Sequence, residues 1–166
     1  MTDFSYISNS SPLIAFLKKK ELNLLKKLFK EIIIPEAVYE ELIAKAKKQE
    51  GQVKLLKEAI KDGLIIVKNL KNFKIADLNL GKGEKEAINL CFEIENPLLL
   101  IDEKKGSSIA RIFKIQTLGT LGILLLSKKR GIKTRGDLLD NLDILIKKNF
   151  YLSSEVITMF LKEIEL

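Results

Sequence analysis

With no histidine and a single cysteine, Cys91, among its 166 residues, the chain must do any chemistry with carboxylates, lysines or hydroxyls. The usual general base and the commonest metal ligand are both missing, and thiolate zinc sites are excluded. Attention therefore falls on acids whose placement is unusual. Asp102 stands directly behind PLLLI (Pro97 to Ile101), a run that is apolar at every position. An acid there is either a helix N-cap or a functional group, because α/β sheets bind ligands outside the carboxyl ends of their strands. The polar run Ser8-Asn9-Ser10-Ser11 occupies the equivalent place after the first apolar run.

Helical geometry, at about 100° per residue, sorts the remaining acids. Glu84 shares a stripe with Ala87, Ile88 and Cys91, so it points along the buried face in a first turn. It either complements the helix dipole or serves a site. Glu86 stacks with Asn89 and Glu93 and is expected to face water. Glu41 borders the apolar arc of Val38, Tyr39 and Leu42, whereas Glu40 lies in the polar arc with Glu36 and Lys47. Glu41 is thus either an ordinary boundary residue or one leaning toward the sheet. Brought together, Asn9, Glu41, Glu84 and Asp102 would form an oxygen-only site suited to Mg²⁺ or Mn²⁺.

The elements that must position these residues follow from the alternation of short apolar runs with longer amphipathic stretches, the pattern of a parallel sheet covered by helices. Strands are expected at Phe4 to Ser8, Glu31 to Ile34, Leu64 to Val67, Pro97 to Ile101 and Lys114 to Leu118. Helices are expected near Pro12 to Lys20, Leu22 to Phe29, Pro35 to Lys48, Val53 to Lys61, Gly83 to Glu95, Glu103 to Phe113 and Thr120 to Lys129. A closing pair is expected near Asp137 to Lys148 and Ser153 to Ile164. Pro12 and Pro35 suit first turns and Gly131 a helix stop. Asn69 to Asn79 reads as a surface loop. The length fits one domain over 1–166, with the closing pair, about 137–164, packed on it.

The basic balance, 29 Lys and Arg against 22 Asp and Glu for a net +7, suits a polyanion partner, but equally a Lys/Glu-rich thermostable surface. The longest uncharged stretch, Ile115 to Ser127, has 13 residues, short of the ~20 that span a bilayer. No membrane association and a cytoplasmic location are expected. The glycine-rich runs GKG (Gly81 to Gly83) and GTLG (Gly119 to Gly122) satisfy neither the phosphate-loop nor the dinucleotide pattern. Cys91 reads as a packed thiol. The apolar surplus of Leu13, Ile14, Phe16, Leu17, Leu24, Leu25, Leu28 and Phe29 serves either the core or an interface.

The blocks ISNSSPLI, IIIPEAVYEEL, LGKGEKEAI, LLLIDEKKG and TLGTLGILLLSKKRG resemble the PIN-domain superfamily, and more closely its VapC-like branch of toxins with an SN(S/T)SPLI opening. The resemblance covers nearly the whole chain, and the 18-residue step from Glu84 to Asp102 is like that of other PIN domains. It implies a Rossmann-like three-layer α/β/α sandwich with a parallel five-stranded sheet of order 3-2-1-4-5. It also implies a divalent-metal site in which Asn9, Glu41, Glu84 and Asp102 take the four acidic positions. Glu103 and Lys104 are alternatives around the last of them, with Ser11 and Thr120 nearby. The departure is Asn9, where most active members carry Asp.

The activity implied is metal-dependent hydrolysis of RNA by the toxin of a toxin–antitoxin pair, with a cognate antitoxin protein and a homodimer as partners. The alternative is a PIN-like module that binds RNA or a protein without cutting, because Asn9 leaves the site one charge short. Lys104, Lys105 and Arg111 are either phosphate contacts or ordinary surface charges.

Overall fold

The computed structural model describes residues 3–166. Five short strands, β1 (Ser5–Ser8), β2 (Ile32–Ile34), β3 (Ile65–Val67), β4 (Pro97–Leu100) and β5 (Gln116–Leu118), form one sheet. Every pairing is parallel and the order is β3-β2-β1-β4-β5. The fold is the expected α/β architecture. Among the described residues, nine helices connect and cover the strands: α1 (Ser10–Lys18), α2 (Leu22–Phe29), α3 (Glu36–Ala46), α4 (Gln52–Lys61), α5 (Lys82–Cys91), α6 (Lys104–Ile112), α7 (Thr120–Lys129), α8 (Arg135–Lys147) and α9 (Ser154–Ile164).

The pleat explains why the strands are apolar throughout. Successive side chains point to opposite faces, so Leu100 joins a large buried cluster with Ile32, Ile34 and Ile65, while Leu99 joins a second one with Ile7 and Ile101. The first cluster takes in α1 to α4 and α7 to α9; the second takes in α5 and α6. Both faces are therefore dry, and PLLLI has no position left for a polar residue. Burying each large aliphatic or aromatic side chain, such as the fully enclosed Phe16, Leu13 and Leu25, contributes roughly 1.5–3 kcal/mol.

All eight surplus side chains of α1 and α2, from Leu13 to Phe29, are buried in the first cluster. They are core residues and present no open face. Leu138, Leu142 and Leu145 of α8 and Phe160 and Ile164 of α9 share that cluster, which fixes the closing helical pair.

Boundaries differ from expectation where polar residues take over the ends. α1 starts at Ser10, so Pro12 is its third residue, and Pro35 is the N-cap of α3. α8 starts two residues early because Thr134 and Asp137 form a reciprocal capping box. Gly131 (φ 69°) ends α7 as expected, in the left-handed region. The 69–79 loop has no regular structure, but buried Asn89 of α5 pins it: the Ile75 N–H donates to Oδ1 (2.8 Å), and Nδ2 donates to the Ile75 carbonyl (3.0 Å).

Candidate functional site

Parallel order places the ends of β1 and β4 side by side at the middle of the sheet, with Ser8 opposite Leu100. Asn9 and Asp102 leave those ends. From there three consecutive residues each hold a different carboxylate. Asn9 Nδ2 donates to Glu103 Oε2 at 2.9 Å, Ser10 Oγ donates to Glu41 Oε2, and Ser11 Oγ donates to Asp102 Oδ2 at 2.8 Å. Sequence separations of 94, 31 and 91 residues are closed by these three contacts.

Asp102 is not the N-cap of the helix that follows it; Glu103 occupies that place. The Asp102 carboxylate instead reaches across to the start of α7. Its Oδ1 accepts the Thr120 backbone N–H (2.7 Å) and its Oδ2 the Thr120 hydroxyl (2.7 Å). Gly119 allows this approach, since a Cβ there would lie 3.1 Å from Oδ1. Burial pushes the Asp102 pKa up, and the hydrogen bonds from Thr120 and Ser11 pull against it.

Of the two readings its arc left open, Glu41 takes the inward one, and Oε1 accepts the Gly83 N–H at 3.0 Å. Glu40 is exposed and faces Lys82 at 3.7 Å. Glu84, half-buried one residue beyond Gly83, has its pKa pushed up to about 7, by burial first and then by the neighbouring Glu103 and Glu41 carboxylates. Gly106 of α6 is needed by Ile101 and not by that carboxyl: a Cβ there would lie 2.7 Å from Ile101 Cδ1 but in ordinary contact, 3.9 Å, with Glu84 Cδ. The arrangement thus brings Glu41, Glu84, Asp102 and Glu103 around Asn9.

One expectation fails. Glu86 does not face water: it is half-buried, and its Oε2 accepts the Ala37 N–H (3.0 Å) at the start of α3. The wheel shows which way the residue points but not that α3 lies opposite. Two contributors went unselected from the sequence, Ser10 and Gly83. The only signal for Ser10 was its place in the unbroken polar run from Ser8 to Ser11.

Lys104 and Lys105 are exposed in the first turn of α6, and Lys104 faces Glu155 at 3.9 Å. Arg111 is exposed at the far end of that helix. Cys91 is a buried thiol with its pKa pushed up to about 12 by burial, and it is no nucleophile.

The donors fit a hard divalent cation in kind. All are oxygens, the carboxylates crowd one another, and Asn9 Oδ1 is buried without a hydrogen-bond partner. Among the described residues, however, no three acidic side chains are already drawn together as a chelate. The carboxylate oxygens are spread onto Ser10, Ser11, Thr120 and Gly83 instead, so closing on an ion requires side-chain rotation. No helix among the described residues is long and apolar enough to cross a membrane.

Compared with known proteins, residues 5–166 match a family model described as a PIN domain. No curated protein matches the chain.

Proposed function

The chain belongs to the PIN-domain family, whose members are generally nucleases, and from that premise we propose that it is a divalent-metal-dependent endoribonuclease. The observation that carries this reading is the run Asn9-Ser10-Ser11, which binds three carboxylates, Glu41 of α3 and the adjacent Asp102 and Glu103 between β4 and α6, into one cluster. Asp102, Glu84 and Glu41 would hold Mg²⁺ or Mn²⁺ together with Asn9 Oδ1. When bound, the cation would supply Lewis-acid polarisation of the scissile phosphate and activation of water. Histidine is not required for chemistry of this kind.

The chain's own part is positioning. Thr120 and Ser11 hold Asp102, and Gly83 and Ser10 hold Glu41, so two acids are kept beside the site, from which a short side-chain rotation would bring them onto the ion. Lys104 and Lys105, exposed in the first turn of α6, would contact phosphate oxygens, which sets the strand without reading its sequence. The SNSSPLI opening supports placing the protein in the VapC-like branch. On that reading it is the toxin of a toxin–antitoxin pair, acts in the cytoplasm, is held by a cognate antitoxin protein and works as a homodimer.

Two features favour a second reading, an RNA- or protein-binding module that does not cut. The acids are not drawn into a chelate, and position 9 carries no charge. Purified protein incubated with structured and unstructured RNA, with Mn²⁺, Mg²⁺ or EDTA, separates the two. Cleavage that requires metal and falls at least about 100-fold in Asp102→Asn is expected, with circular dichroism confirming the variant's fold. RNA binding without cleavage by the folded wild type would establish the second reading.

A further inference from the structure

Asn9 is the N-cap of α1 and Glu103 the N-cap of α6, yet neither side chain caps its own helix. Asparagine at an N-cap ordinarily satisfies a first-turn N–H. Here both side chains turn away from that role and bond each other, Nδ2 to Oε2 at 2.9 Å. A carboxylate accepts and does not donate, so the amide can present only its nitrogen to Glu103. Oδ1 therefore faces the other way, and it lies buried, on a residue only 3% exposed, with no partner. Ser8 Oγ offers no relief, because it donates to the Asn9 backbone carbonyl at 2.8 Å.

An unpaired buried acceptor beside several carboxylates calls for a ligand that brings positive charge and no competing oxygen, which describes a divalent cation. We propose that Asn9 and Glu103 act as one ligand unit, in which Asn9 Oδ1 binds the cation while its N–H₂ anchors Glu103 as the carboxylate that position 9 lacks. The negative charge of the first acidic position has moved from the end of β1 to the start of α6, across a gap bridged by a single hydrogen bond. This rests on the metal site proposed above, and adds to it a fourth charge and a fixed dependence of one residue on the other.

Mn²⁺ binding to the full chain, followed by calorimetry and by the loss of the free-ion electron paramagnetic resonance signal, tests the pairing without reference to turnover. Glu103→Gln is expected to weaken Mn²⁺ at least about tenfold, some 1.4 kcal/mol, while leaving the metal-free melting temperature close to wild type. The double variant N9D/E103Q returns the charge to position 9 and keeps the hydrogen bond with donor and acceptor exchanged. Its affinity is expected within about threefold of wild type, far above that of E103Q. Wild-type affinity in E103Q, or a double variant no better than E103Q, would overturn the pairing alone. Absence of Mn²⁺ binding in the wild type would remove the metal site and the pairing with it.

Discussion

Glu41 keeps its place only because Gly83 has no side chain. A Cβ on Gly83 would sit 2.5 Å from Glu41 Oε1 and 2.6 Å from Oε2, and the flexible glutamate is the partner that gives way. Gly83 lies inside α5, where alanine is preferred by up to about 1 kcal/mol. Gly83→Ala is therefore expected to leave the melting temperature equal or higher while metal-dependent cleavage drops at least about tenfold. A melt and a cleavage assay on the same preparation check both halves. Glu84 carries a second prediction, for the metal-free protein. Its folded pKa of about 7 lies above its ordinary value of 4.5, so between those values the native state holds more protons than the unfolded chain. Stability then falls as pH rises from about 4.5 to about 7, and this contribution is level above that. Glu84→Gln should cancel the slope. Thermal melts of both proteins at stepped pH should diverge through this window, with the variant the more stable at its upper end.

Between elements, the join of α1, α2 and α8 rests on an ionic cluster that the sequence did not disclose. Lys19, its side chain fully buried, lies 3.2 Å from Glu21 Oε2 and 4.4 Å from the Phe16 ring centroid, while Lys133 donates to Glu21 Oε1 at 3.0 Å. Burial outweighs the attraction of Glu21 and holds the Lys19 pKa down at about 8. Removing one partner of such a cluster costs more than removing the charge that is hardest to solvate. Glu21→Gln is expected to cost about 3 kcal/mol in urea unfolding, because it strands Lys19. Lys19→Met should be neutral or stabilising, since Glu21 retains Lys133. The elements themselves were legible: periodicity located every strand and helix to within a few residues, and the arcs separated Glu41 from Glu40. What failed to show was what faces each arc. Glu86 meets α3, Ser10 meets Glu41 and Asn9 meets Glu103, because partners 31 to 94 residues away are chosen by sheet order and not by local pattern. The choice left open for Asp102, N-cap or functional group, is settled by the same long-range placement, since its carboxylate reaches α7 and does not cap α6.

For the whole molecule, a net charge of +7 coexists with a local cluster of carboxylates at the ends of β1 and β4, so a polyanion is drawn to the protein as a whole while the cluster favours cations. The long-range attraction fades beyond about 10 Å at 0.1 M salt. The sheet order has a further consequence, for timing. β1 is made first yet sits at the centre, and its partner β4 lies some ninety residues downstream. Contacts so distant in sequence form slowly and late. During synthesis the run Asn9-Ser10-Ser11 emerges early, and although Ser10 has Glu41 within reach after some thirty residues, Asn9 and Ser11 have nothing to hold until Asp102 and Glu103 follow. On the nuclease reading proposed above, a ribosome-bound chain would thus be chemically silent through most of its own translation, and the cell would meet an active form only after the last core helices close.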